Sequence, residues 1–142
     1  MAKGIKGITV EIGGNTGPLD KALEDVNKRS RSLQVELRQI ERLLKFDPTN
    51  TELLAQKQTI LSKSVETTEE KLKALKNAQV QVQAQFEKGE IAEEQYRAFQ
   101  REIVKTENEL NTIKSTLDVA TRNLKEFGDN NGVAKQEAEK LE

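Results

Sequence analysis

The most constraining feature of the sequence is a row of mostly apolar residues that recurs at alternating spacings of four and three positions. In the first stretch the row contains a single polar member and consists of Leu19, Leu23, Val26, Ser30, Leu33, Leu37, Ile40 and Leu44. This spacing is typical of the heptad repeat, in which the a and d positions of one helix pack against another helix. We call this row and its continuations the heptad seam. Its length predicts a helix over residues 18–46.

The same spacing returns twice further along the chain. The second stretch consists of Leu54, Gln58, Leu61, Val65, Thr68, Leu72, Leu75, Gln79, Val82 and Phe86. The third consists of Tyr96, Phe99, Ile103, Thr106, Leu110, Ile113, Leu117, Ala120, Leu124 and Phe127. They predict helices over residues 50–88 and 91–127, and therefore one helical coiled-coil domain over residues 18–127.

Residues that start and stop helices lie between these stretches. Pro18 suits the first turn of the first helix, and Pro48 in "FDPTN" suits the first position of the second. Either Asp47 or Asn50 can cap that second helix. Gly89 in "EKGE" suits the left-handed conformation in which many helices end.

Because both connections are short, we expect neighbouring helices to be antiparallel. The turns predict a register in which Ser30 lies opposite Thr68 and Leu72 opposite Leu110. A polar residue in a coiled-coil core favours the alignment that places it opposite another polar residue. The pairing of Ser30 with Thr68 therefore supports this register. The fold class predicted is thus all-α, an antiparallel three-helix coiled-coil bundle with a short N-terminal β-strand and a flexible C-terminal tail.

The strand is predicted within residues 1–17, which end in a glycine-rich turn. In "IKGITVEI", residues 5–12, Ile8, Val10 and Ile12 alternate with polar residues, as in a half-buried strand. The first helix is the shortest, so Val82, Phe86, Tyr96 and Phe99 at the far end of the second hairpin have no third helix beside them. We expect the strand or another chain to cover that end. "GDNNG" predicts a linker, followed by the start of a further helix, over residues 128–142.

The composition argues against several classes of function. The sequence contains no histidine and no cysteine, which are common metal ligands and catalytic groups. The net charge is −1, whereas a protein that neutralises phosphates is normally basic. The basic cluster "NKRSRS", residues 27–32, lies among acidic residues and reads as a solvated helix face. We expect no enzyme, no catalytic, metal or cofactor site, no nucleic-acid partner and no membrane span.

Two long strings carry a resemblance to a known family. "GITVEIGGNTGPLDKALEDVNKRSRSLQVELRQIERLLKFDPTNTELLAQKQ" and "QVQAQFEKGEIAEEQYRAFQREIVKTENEL" resemble the N-terminal region of tail tape measure proteins from tailed phages and prophages of Gram-positive bacteria. The resemblance covers about residues 4–127 and rests on extended strings, not on a catalytic motif. In that family a strand and a glycine-containing turn precede heptad helices.

The resemblance implies a structural role in tail assembly. Tape measure proteins are long helical chains around which tail tube subunits polymerise, and tail assembly chaperones hold them beforehand. The implied partners are the tail tube protein and these chaperones, and the implied locations are the virion tail and, during assembly, the host cytoplasm. A fully helical chain of 142 residues spans only about 210 Å, so we expect an N-terminal fragment. The alternative is a coiled-coil adaptor that binds a partner helix or a chaperone; self-association is open for either.

Overall fold

The structure, a computed structural model, describes the backbone of residues 17–141 and the side chains of residues 23–128. The described chain is all-α and contains three helices: α1 (Gly17–Phe46), α2 (Thr51–Glu87) and α3 (Glu93–Leu141). The predicted all-α class is confirmed, and no strand occurs among the described residues. The predicted strand at residues 5–12 lies outside them.

The helices form two compact units, each of which contains a segment of all three. The first unit combines α1 up to Arg31 with Glu66–Asn111, and the second combines Ser32–Val65 with α3 from Thr112 onward. In the first unit, Phe86 of α2 meets Tyr96 of α3, and further from the turn Lys76 meets Glu107. Residue numbers therefore fall along α2 as they rise along α3, so these two helices are antiparallel.

Cross-helix contacts also fix the alignment of α1 with α2. In the first unit, Arg29 of α1 contacts Glu70 of α2 at 2.9 Å. These two residues are close in sequence to Ser30 and Thr68, which were predicted to lie opposite each other. In the second unit, Glu41 of α1 contacts Lys57 of α2 at 3.7 Å. There α2 also meets α3, because the Gln58 side chain donates to the Thr121 hydroxyl at 3.2 Å.

The turn between α1 and α2 shows which of the two candidate residues caps α2. The Asn50 Oδ1 atom accepts a hydrogen bond from the Leu53 N–H at 3.0 Å, while the Asn50 carbonyl accepts one from Leu54. The Asn50 amide in turn donates to the Asp47 carboxylate at 3.0 Å. Asn50 is therefore the N-cap, because its side chain satisfies a backbone N–H that the first turn leaves free. Asp47 supports it from the preceding turn.

The end of α2 is a Schellman motif centred on Gly89. Its φ angle is 74°, in the left-handed region that favours glycine. The Gly89 N–H donates to the Phe86 carbonyl at 3.0 Å, and the Glu90 N–H donates to the Gln85 carbonyl at 2.8 Å. These two bonds satisfy carbonyls that the last turn of a helix leaves without partners.

Half of a capping box starts α3 immediately afterwards, because the N-cap residue Ala92 has no side-chain oxygen to return the bond. The Gln95 Oε1 atom accepts a hydrogen bond from the Ala92 N–H at 2.9 Å, and the Tyr96 N–H donates to the Ala92 carbonyl at 3.1 Å. Ile91, just before the cap, is buried, as expected of the residue that fixes the angle of the entering chain. The two motifs together reverse the chain within a few residues.

Most helix ends lie within one residue of the predicted ones, and three differences from the prediction have a physical reason. Pro48 lies in the turn and not at the first helical position, because α2 begins only at Thr51. The third helix begins at Glu93, two residues later than predicted, because Ala92 is its N-cap. It also continues through the predicted linker at residues 128–142 as far as Leu141. A glycine inside a helix costs only about 1 kcal/mol relative to alanine, and "VAKQEAEKL" is rich in helix-forming residues.

Alanine substitutions at Gly89 and Gly128 are expected to have opposite effects on stability. A β-carbon would meet no atom within 4 Å at either position, so backbone conformation decides both results. Gly89→Ala forces a left-handed alanine and should lower the free energy of unfolding by about 1–2 kcal/mol. Gly128→Ala, inside α3, should raise it by up to about 1 kcal/mol. Urea unfolding followed by circular dichroism measures both, and a destabilised Gly128→Ala would contradict a helical Gly128.

Candidate functional site

The interior of the first unit is a cluster of apolar side chains from all three helices and from the α2–α3 connection. Its buried members are Leu23, Leu75, Val82, Ile91, Phe99 and Ile103. Phe99, Leu23, Leu75 and Val82 are among the largest side chains that are fully buried. Because burial of such side chains drives folding, the heptad seam of this unit is its structural core.

The end of this cluster next to the α2–α3 connection is built from aromatic residues. The rings of Phe86 and Tyr96 stack with their centroids 4.3 Å apart and their planes 2° from parallel. Val82 and Phe99 are each only 1% exposed. The end that lacks a third predicted helix is thus buried at these two residues, while the strand residues expected to cover it lie outside the described part.

The structure places none of the described apolar seam residues among the exposed ones. Eleven are buried: Leu23, Val26, Ile40, Leu54, Leu61, Leu75, Val82, Phe99, Ile103, Leu110 and Ala120. Eleven more are half-buried: Leu33, Leu37, Leu44, Val65, Leu72, Phe86, Tyr96, Ile113, Leu117, Leu124 and Phe127. Leu19 and Pro18 belong to α1, but their side chains fall outside the described set.

The polar members of the seam fall into three groups. Thr68 and Thr106 are buried, and Ser30 and Gln58 are half-buried. Gln79, however, is exposed, and Ala78 packs against the buried cluster instead. The prediction was wrong at this position, because a helix of 3.6 residues per turn allows either residue between Leu75 and Val82 to face inward. The small apolar side chain does so, and the amide stays in water.

Four buried residues were missed by the heptad pattern: Ile60, Thr67, Gln85 and Ile91. Ile60 and Thr67 each directly precede a seam residue, and a helix that packs on two neighbours buries a wider face than the a and d positions alone. Ile91 follows the glycine turn, where no periodicity exists. Gln85 also directly precedes a seam residue, but its polar side chain gave no reason to expect burial, and its Oε1 atom has no hydrogen-bond partner within the described residues.

A polar layer crosses the first unit beside the apolar cluster. Lys71 of α2 and Glu102 of α3 form an ion pair at 3.4 Å, with side chains only 13% and 11% exposed. Thr106, which is fully buried, donates its hydroxyl proton to the Glu102 backbone carbonyl at 2.7 Å. Charges this far from water are costly unless they are paired, so the layer makes one pairing of α2 with α3 favourable over shifted ones.

A second ion-pair group lies at the surface of the same unit. The Arg29 guanidinium contacts Asp25 at 3.0 Å along α1 and Glu70 at 2.9 Å on α2. The hydrogen bond to Glu70 raises the pKa of Arg29 above its ordinary value, and the negative charges of Glu70 and Asp25 add to this. These side chains are well exposed, so they align the helices without contributing much stability.

The second unit has a surface groove of about 390 Å³ between α1 and α2. Its lining residues are Glu36, Ile40, Glu52, Ala55, Gln56, Thr59 and Ile60. Two carboxylates lie on an otherwise neutral, partly apolar wall, without an arginine, a lysine or a histidine. Such a lining offers carboxylate oxygens to a donor side chain of a partner.

Two other kinds of feature are absent from the described residues. They contain no group of three or more acidic, histidine or cysteine side chains placed to hold a metal ion. No helix in this part of the chain is both long and apolar enough to cross a membrane.

Comparisons with known protein families, with curated proteins and with solved structures find no match to this chain.

Proposed function

We propose that the chain is a structural protein of a phage tail, the N-terminal region of a tail tape measure protein. The main support is the resemblance of two long sequence segments to this family, over about residues 4–127. Long helices whose interior is a heptad seam are compatible with that role. On this proposal the chain has no catalytic task, its partners are the tail tube protein and tail assembly chaperones, and it is located in the virion and, during assembly, in the host cytoplasm.

Analysis of purified phage particles tests this proposal. We expect mass spectrometry of tails, separated from capsids, to recover peptides of this chain. A gene carrying Leu75→Asp should produce particles with few tails, because it disrupts the core of the first unit. Val80→Asp, at an exposed position on the same helix, should leave tails normal in electron micrographs. Recovery of the chain only from soluble cell extract, together with normal tails in both variants, would refute the tail assignment.

The coiled-coil adaptor remains a second candidate, and one observation favours it. Several large apolar side chains are well exposed, among them Phe46 at 86% and Leu43 at 53%. Val82 and Phe99, at the far end of the second hairpin where another chain could have bound, are buried. An adaptor would therefore use α1, and a chain that binds its partner in cells without entering particles would favour this candidate.

A further inference from the structure

The last three turns of α1, in the second unit, carry an apolar row on their outer face. Val35, Leu43 and Phe46 are 45%, 53% and 86% exposed. With Gln39 between them they are spaced by four, four and three residues, so they line up along one side of the helix. The row spans about 16 Å at 1.5 Å per residue. Single exposed apolar residues are ordinary, but an aligned row with an aromatic end is typical of a helix-binding surface.

A basic row runs beside this apolar row. Arg38, Arg42 and Lys45 are spaced by four and three residues and are all exposed. None of the three has an ion-pair partner among the described residues, whereas Glu41, an acidic residue of the same segment, is paired with Lys57. The other acidic residue, Glu36, lies on the opposite edge of the apolar row, where it lines the groove with Glu52. The face is thus basic along one edge and acidic along the other.

We propose that this face of α1 binds an amphipathic helix of another protein that has an acidic edge. The apolar residues of that helix would pack on Val35, Leu43 and Phe46. Its acidic edge would lie along Arg38, Arg42 and Lys45, because opposite charges that flank an apolar stripe set both partner choice and orientation in helix pairs. A basic side chain on its other edge would reach Glu36 and Glu52 in the groove.

A second copy of this chain fits the face poorly. In an antiparallel pair of identical helices, equivalent edges face each other, so the two basic rows would repel. In a parallel pair, the basic row of one copy would face only one free carboxylate of the other copy, that of Glu36, because Glu41 is already paired with Lys57. The inference concerns an outer surface and is independent of the tail proposal: particle analysis tests that proposal, and binding in solution tests this one.

The experiment is a titration of the whole chain with two designed helical peptides. Both have about three heptads with leucine at a and d, about 31 Å of helix, which is long enough to cover the whole apolar row. One carries glutamates along one edge, and the other carries lysines at the same positions. We expect fluorescence anisotropy to show binding of the glutamate peptide at least about tenfold tighter than that of the lysine peptide. Arg38→Glu/Arg42→Glu/Lys45→Glu should reverse the preference, and Leu43→Ser/Phe46→Ser should abolish binding of both.

A matched control is available on α3. Val104 is 55% exposed, and the neighbouring Arg101 and Lys105 are also exposed, but no other large apolar residue within two turns of Val104 is exposed. Arg101→Glu/Lys105→Glu should leave both affinities unchanged, and circular dichroism should show every variant folded. Equal affinity for the two peptides, or an equal loss in the control variant, would overturn the proposal. So would a dimer by sedimentation that Phe46→Ser dissociates, or binding of a DNA duplex through the three cations without binding of the glutamate peptide.

Discussion

Leu75→Asp is expected to unfold the first unit and to remove most of its cooperative thermal transition. Leu75 is fully buried in the cluster that joins α2 to Leu23 and Phe99. Truncation of such a leucine to alanine costs about 2–5 kcal/mol, and an unpaired carboxylate at the same place costs more because it loses its hydration. A small domain has only about 5–15 kcal/mol of stability in total, so the loss should be decisive.

The control for this change lies on the same helix and in the same unit. Val80 is 76% exposed, so Val80→Asp alters the same kind of side chain in the same way but in water. Its effect should stay within about 0.5 kcal/mol. Leu72→Asp, at a half-buried seam position, should fall between the two. Thermal melts followed by circular dichroism measure the melting temperature of all three variants at the same protein concentration. Equal melting temperatures of the Leu75→Asp and Val80→Asp variants would disprove the assigned core.

Much of the helical architecture follows from the spacing of apolar residues. Alternating steps of four and three keep a residue on one side of a helix, so Leu23, Val26 and Ile40 could be expected to face inward from the sequence alone, and they are buried. The stops were also readable, because Asn50 and Gly89 have specific local roles in caps and turns. These features depend on neighbours within a few residues.

The buried positions that the sequence did not predict on α2 result from its contact with a second helix. A heptad seam describes contact with one partner, whereas Ile60 and Thr67 become buried because α2 contacts two helices. The wider buried face of α2 also determines that Ala78, and not Gln79, packs inward. Counting heptads does not distinguish these two neighbours. The extension of α3 past Gly128 was missed for a different reason: the glycine penalty is small, and the helix-forming residues on either side outweigh it.

The candidate surface on α1 was likewise not visible as a pattern. Val35, Leu43 and Phe46 are not in the heptad seam, and in the sequence they are separated by charged residues. Only the placement of the seam toward the interior shows that they share the outer face with Arg38 and Arg42. The basic cluster noted in the sequence, residues 27–32, is different: Arg29 within it is paired with Asp25 and Glu70.

The second large effect concerns the ion pair between Lys71 and Glu102. Lys71→Met leaves a carboxylate that is only 11% exposed without its partner. Breaking a buried pair in this way costs about 3–5 kcal/mol, and we expect the lower end because both side chains keep some contact with water. Glu102→Leu should be similarly costly. Neither change removes the Thr106 hydrogen bond, because that bond goes to the Glu102 backbone carbonyl.

The double variant Lys71→Met/Glu102→Leu should recover most of the stability lost in each single variant. A well-packed apolar pair commonly replaces a buried ion pair with little change or with a gain in stability. Urea unfolding of the parent, both single variants and the double variant gives the coupling energy of the pair. Hydrogen exchange of α2 and α3 in the double variant then tests whether the charges also select the register: unchanged protection would show that the seam alone aligns these helices.

The matched control is a second α2–α3 pair in the same unit. Lys76 and Glu107 lie 3.3 Å apart, about as close as Lys71 and Glu102, but their side chains are 51% and 43% exposed. Surface pairs of this kind couple by about 0–1 kcal/mol. A double-mutant cycle on each pair therefore compares two ion pairs that differ in burial and hardly at all in distance. Equal coupling energies would mean that burial does not strengthen the Lys71–Glu102 pair, and the polar layer would then be an ordinary surface contact between the helices.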